Sequence, residues 1–312
     1  MLILALFISC GSMVRSLFRH KWGDDPRRGG NFGMENNIEN LIAELKWDVP
    51  EPDLARLKDI YEKIIETLVL GFDPSVLIVL DNEDAHQQEI ERIKFRIKEN
   101  IVARLMARAN SVVMFGKIKS GDASSFTKVV LRMGMKTAKI YILALALFLL
   151  DPALEPLAAR SFSRAILGHL LAEELGFKST MAERVEMGGL LLEIGRIPAI
   201  LYEIKESTTL DERFTSTYHP LLGLIILRKY EMPDYLEETL LHNHLSFLHR
   251  SLSPRGVIGL ADLVVQDSFS RHGKFIFESP VPDATIESTL GSSILDQFSA
   301  IGYRKYVELR RT

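Results

Sequence analysis

The sequence predicts an all-helical protein of two lobes, on three observations. Segments with apolar residues at helical spacing are long and rich in Leu, Ala, Glu, Lys and Arg. Pro and Gly punctuate them, and no β-branched runs alternate with them, which argues against a βαβ arrangement. At 312 residues and 47% hydrophobic content, the chain can bury a substantial core and has the length for two lobes.

Taken in order, residues 1–33 read as a disordered leader or a start assigned too early, with Met13 or Met34 as the later start. Leu2 to Ile8 is an apolar run of seven residues, and Ser9-Cys10-Gly11 faintly resembles a lipoprotein processing site. No Lys or Arg precedes that run, which speaks against a signal or a lipid anchor. The first lobe is expected over residues 34–150. Its first helix spans about 52–69, where Leu54, Leu57, Ile60, Ile64, Ile65 and Leu68 form one stripe. Asp73-Pro74-Ser75 restarts the chain as a cap followed by an early proline, before a short helix at 76–80. A single helix is then expected over 86–109, because Ile90, Ile93, Ile97, Ile101 and Leu105 keep helical spacing. Another covers 124–132 and ends at Gly134. The next, at about 136–150, contains eleven uncharged apolar residues, Ile140 to Leu150. A spanning helix needs about 20 such residues, so this one is read as buried on all sides.

Asp151-Pro152 marks the lobe boundary, and the second lobe covers residues 151–278. Helices are expected at 154–175, stopped by Gly176, then at 180–193, 197–204 after a break near Gly195, 217–229, 234–246 and 254–267. A proline-containing linker at 279–283 leads to a C-terminal helical extension that completes residues 279–312.

Composition excludes several classes. A formal net charge of −3 gives no overall basic field, so nucleic acid is not expected as a partner. Cys10 is the only cysteine, which excludes an internal disulfide and a Cys-rich metal site and fits a reducing, cytoplasmic compartment. No phosphate loop, Gly-x-Ser-x-Gly elbow or His-Glu-x-x-His pair is present.

The informative motifs come in a fixed order. Ala107-Arg108-Ala109-Asn110-Ser111 is followed by the Phe126 to Gly134 segment, by Ser161 to Ala165, and by Leu171-Ala172-Glu173-Glu174-Leu175-Gly176. Then come Gly189 to Arg196, His219-Pro220-Leu221-Leu222-Gly223, Met232-Pro233 and His242-Asn243-His244. In order and spacing these pieces, from about Trp47 to Ser270, resemble the HDOD domain, the bacterial signalling relative of the HD-superfamily metal-dependent phosphohydrolases. In HD hydrolases an early His, an adjacent His-Asp pair and a later acid or His converge on a divalent cation. By spacing to Ala172, that frame places the early position at Arg160 and the adjacent pair at Leu192 and Glu193. Leucine has no lone pair, and arginine is a permanent cation with donors only. The resemblance therefore implies an HD-like scaffold without a metal, a cofactor or catalysis, acting in signal transduction by binding a protein partner or small ligand.

Within that frame Arg160 is expected to pair with Glu193, a guanidinium replacing the cation. Arg196, His219 and His242 complete the candidate ligand-binding or vestigial site. His219, before Pro220, is expected to cap a helix start, and His169 to face a lobe surface. Asn110 and Ser111 are expected to fix the turn that ends the first-lobe helix. Lys128, Arg132, Lys136 and Lys139 would line up as a basic stripe only if Gly134 did not interrupt the helix. Two alternatives stay open. One is a phosphodiesterase or nucleotide phosphohydrolase with a rearranged site using Glu193, His219 and His242, and the other is a cyclic-dinucleotide sensor in which Arg160 or Arg196 grips phosphate.

Overall fold

The computed structural model describes residues 38–110, 124–241 and, in a last helical segment, 254–259, 261–262 and 265. The expectations for the leader, for Ser111, for His242 and His244, for the linker at 279–283 and for the C-terminal helices lie outside the described residues. Within them the protein is all-α, in agreement with the sequence.

The helices are α1 (Ile38–Leu45), α2 (Glu51–Ile60, extended by a π turn at Tyr61–Ile65), α3 (Ser75–Asp81), α4 (Gln87–Ile93) and α5 (Glu99–Ala109). After them come α6 (Phe126–Met133), α7 (Met135–Phe148), α8 (Glu155–Glu174), α9 (Ser179–Leu191), α10 (Arg196–Glu206), α11 (Glu212–Lys229) and α12 (Asp234–Leu241). The stops are those the sequence marks. Gly134 and Gly176 take φ of +82° and +77°, a region in which a side chain would be strained. Asp151 caps the 3-10 turn Pro152–Leu154 by accepting from the Ala153 amide at 2.8 Å.

The apolar core is continuous across Asp151-Pro152: one cluster joins Ile38 and Leu57 to Leu190, Leu221 and Leu240. Helix α7 runs through it with every residue from Ala138 to Phe148 buried, which explains its unbroken apolar run. A smaller cluster, including Leu167, Val185, Leu192, Ile258 and Ala261, packs α8 and α9 against the last helical segment. No single described helix is long and apolar enough to cross a membrane.

Two expected elements are corrected. The single helix over 86–109 is two, broken by a 3-10 turn at Lys94–Arg96 and by Ile97, whose backbone is extended at φ −119° and ψ 135°. There Ile97 pairs antiparallel with Phe72, and the Lys98 amide donates to the Gly71 carbonyl at 2.7 Å. Pairing with a distant segment wins over helix continuity while Ile93, Ile97 and Ile101 all stay buried, so apolar spacing alone could not reveal the break. Helix α11 starts at Glu212 rather than 217, capped by Asp211, which accepts from the Arg213 amide at 3.0 Å. His219 and Pro220 therefore lie inside a helix rather than at its start.

The turn from α9 to α10 presses on α11 at that point. A Cβ on Gly195 would lie 1.8 Å from the His219 carbonyl oxygen and 2.5 Å from the Gly223 nitrogen. Only glycine allows this approach, which holds the turn between Glu193 and Arg196 against the middle of α11, while Arg196 reaches the start of that helix at Glu212 and Ser216.

Candidate functional site

Helix α8 carries Arg160 and Arg164 one turn apart on one face. Opposite them, α9 ends at Leu191 and delivers Leu192 and Glu193 into the turn before α10. Leu192 enters the smaller apolar cluster, while the buried Glu193 carboxylate faces the arginines.

The centre of this arrangement is Arg164, fully enclosed at 0% exposure. Its Nε donates to the Gly189 carbonyl at 2.7 Å, Nη1 to Glu193 Oε2 at 3.0 Å and Nη2 to Ser161 Oγ at 3.2 Å. Nη1 also bonds Asp262 Oδ1, from the last helical segment. The other Glu193 oxygen, Oε1, lies 3.0 Å from Arg196 Nε and 3.5 Å from Arg160 Nη2. Arg196 reaches on to Glu212 Oε1 at 3.0 Å and Ser216 Oγ at 3.2 Å. Thus Arg160, Glu193 and Arg196 come together as one cluster, with Arg160, half-buried, at its outer side. His219 is buried on α11, and His242 lies outside the described residues.

Taking ions this far out of water costs several kcal/mol each, by a rough estimate, unless charge and hydrogen bonds offset it. Here they do. Burial pushes the Glu193 carboxyl up, but Arg164, followed by Arg160 and Arg196, pulls it further the other way and leaves it below the usual carboxylate range. Burial disfavours the Arg164 cation, and Asp262 and Glu193 more than restore it.

A divalent cation, which the HD relationship brings to mind, does not fit these residues. The Glu193 oxygens are taken by three guanidinium groups, Asp262 is held by Arg164, and Leu192 offers hydrocarbon. Among the described residues, no group of three or more His, Cys, Asp or Glu could hold a metal ion.

Sequence reasoning missed Arg164 and Asp262. Arg164 reads as one of two arginines on a long helix, although its neighbour Ala165 is wholly buried. Asp262 carries a clearer signal: an acid between Ala261 and Leu263 in an apolar segment requires a buried partner.

A second buried ionic cluster was also missed. Arg108, in the last turn of α5, donates through Nε to the Tyr141 hydroxyl at 2.8 Å and pairs through Nη2 with Glu186 of α9. Tyr141 also donates to Glu186 Oε1. The expectation that His169 faces a surface is corrected: it is buried, with Nδ1 2.7 Å from Glu186 Oε2 and Nε2 3.4 Å from Glu173 Oε1. Burial disfavours the imidazolium, but Glu186 and then Glu173 hold its pKa above the ordinary value. The legible clue was Tyr141, the one hydroxyl in the apolar run of α7, which must find a partner when buried.

Gly134 does interrupt the basic stripe. Lys139 is buried and bonded to Asp81 and, at 2.7 Å, to the Glu231 carbonyl. Arg132 donates to the Ala109 carbonyl at 3.2 Å and to Asn110 Oδ1 at 3.3 Å, and Lys136 to Glu83 at 2.7 Å. Asn110 ends α5 and ties that end to α6 through Arg132.

Several solved structures are similar to the chain, two of them as follows. One is an HDOD domain protein of unknown function from Geobacter sulfurreducens, with 19% identity over 83% of this chain and 94% of that one, and a TM-score of 0.48. The other, from Shewanella amazonensis, carries the provisional name metal-dependent phosphohydrolase, with 16% identity over 88% of this chain and 100% of that one, and a TM-score of 0.51. At such identity the second shows likeness of fold alone. No curated protein matches the chain. The HDOD domain family model matches residues 75–246, more than half of the 312 residues, and the chain belongs to the HDOD family, related to the metal-dependent HD phosphohydrolases.

Proposed function

We propose that this protein is a non-catalytic signal-transduction scaffold of the bacterial cytoplasm, which binds a protein partner or small ligand through an HD-like helical body that has lost its metal ligands. One observation carries the reading: the buried guanidinium of Arg164 lies between Glu193 and Asp262, the two acids on which a cation would depend. A fixed positive charge there repels a divalent ion and uses the lone pairs such an ion needs. Glu193 held ionised by three arginines is also poorly suited to general-base work, because a base held well below the operating pH has little drive to take a proton.

Metal analysis of the purified protein, together with turnover of a generic phosphodiester, tests this. The expected result is no stoichiometric metal and no turnover. Bound metal with turnover that is lost on His219→Ala or His242→Ala would replace the scaffold reading with the hydrolase one.

A further inference from the structure

We propose that the edge built around the Phe72–Ile97 pairing is a docking surface for an anionic lipid bilayer. Among the described residues, five large apolar side chains stand exposed, and three of them are on this edge: Val69 at 82%, Ile78 at 70% and Phe95 at 84%. The backbone holds them in one neighbourhood. The Gly71 carbonyl accepts from the Lys98 amide at 2.7 Å and the Arg96 carbonyl from the Asp73 amide at 3.0 Å, so the chain leaving Val69 runs antiparallel to the chain leaving Phe95. Arg96 Nη1 donates to Ser75 Oγ at 2.9 Å and ties the start of α3 to the same strip. Ile78 follows one turn along α3, on the Ser75 side.

The charge on this edge complements an anionic surface. Arg92, Lys94, Arg96 and Lys98 alternate through the segment that carries Phe95, with no acid among residues 92–98. Arg92, Arg96 and Lys98 are exposed and Lys94 is half-buried. The Lys98 stem lies over Gly71, where an added Cβ would come within 2.9 Å of Lys98 Cδ. The acids beside them are Asp73, which accepts from the Ser75 amide at 2.9 Å, Glu99, and Glu91, which lies near Lys94 but accepts from the Thr127 amide at 3.0 Å and hydroxyl at 2.7 Å.

A bilayer interface suits this combination. Each apolar side chain stands in water with most of its surface, and insertion at the headgroup boundary removes that surface while the cations stay among lipid phosphates. A nucleic-acid strand would stack on aromatic faces, and Val69 and Ile78 have none to offer. The residues around Glu193 take no part, so this inference stands apart from the proposed scaffold role.

The test is co-sedimentation of the full chain with phosphatidylcholine vesicles with and without phosphatidylserine, at low and high salt. Binding is expected only when phosphatidylserine is present, and to weaken with salt as exposed charges are screened. Phe95→Ser is expected to weaken it by at least about tenfold, as loss of a fully inserted apolar side chain implies. Lys94→Gln and Lys98→Gln are expected to weaken it by roughly fivefold each. Unchanged circular dichroism and Tm verify that these surface variants fold. The proposal is overturned if the wild-type chain ignores phosphatidylserine vesicles. It is equally overturned if a Val69→Ser, Ile78→Ser, Phe95→Ser variant binds as the wild type does, which would move the lipid contact elsewhere, for example to Leu2–Ile8. Phe95-dependent capture of a protein or of single-stranded DNA without vesicle binding also overturns it.

Discussion

Two buried ionic clusters share the same pair of helices and differ in what they are made of. Helix α8 supplies Arg164 to one and His169 to the other, while α9 supplies Glu186 and its exit turn Glu193. The Arg164 cluster consists of arginines and the acids Glu193 and Asp262; Glu193 is held below the usual carboxylate range and Arg164 above its ordinary value, so both keep their charge across the neutral range. The cluster around Glu186 adds a histidine and a tyrosine, and it ties α5 and α7 to α8 and α9. The difference separates two uses of buried charge. The first holds a permanent internal cation among acids, and the second joins α5 and α7 to α8 and α9 through groups that titrate.

The largest expected effect comes from emptying the first cluster. Arg164→Met leaves Glu193 and Asp262 in a place built around its charge, and breaking a buried ionic arrangement in this way costs about 3–5 kcal/mol. Denaturant unfolding measures it. Replacing Arg164, Glu193 and Asp262 together with apolar residues is expected to recover much of the loss, because the burial penalty disappears with the charges. If the triple variant were no better than the single, the bonds would matter more than charge compensation.

Gly195→Ala comes next. The new methyl would overlap the His219 carbonyl oxygen and force α10 away from α11, a loss of roughly 3 kcal/mol, the upper end for overpacking. A Tm within a degree or so of the parent would show that the two helices separate without strain.

Tyr141→Phe is smaller. It removes one hydroxyl between Arg108 and Glu186 and leaves the ion pair, for an expected loss of about 1 kcal/mol.

The subtlest effect is in pH dependence and separates the clusters most cleanly. His169 has a raised pKa in the folded protein, so its stabilisation is fully present below the unfolded value, about 6.5, and is lost as pH rises through the folded value. Glu186 and Glu193 are depressed, so their contributions are present above the ordinary carboxylate range and are lost as pH falls through their folded values. Unfolding free energy should therefore decline from slightly acid pH towards alkaline pH, and His169→Phe should flatten that limb while leaving the acid limb from Glu193 in place. A limb that survives the substitution would assign it to another group.

Much of the fold was legible because its punctuation is local. Gly134, Asp151-Pro152 and Gly176 stop or start helices by backbone chemistry that needs no tertiary context. The break at Ile97 was not legible, because a paired segment some 25 residues earlier decides it while the apolar spacing runs on undisturbed. Of the site, Leu192 and Glu193 could be placed from their frame, and Arg160 does lie beside Glu193. The group that dominates the centre is one turn further along α8, and its second acid comes from a segment 98 residues later. Periodicity puts Arg160 and Arg164 on the same face but cannot say which is enclosed, since that depends on the last helical segment lying over it.

The central claim is that a protein guanidinium stands where a hydrolytic cation would sit. Anomalous diffraction from crystals soaked in manganese tests it most directly. The account predicts no anomalous peak within coordination distance of Glu193 or Asp262, with Arg164 between them. A manganese ion bound by either carboxylate, with Arg164 swung aside, would contradict it.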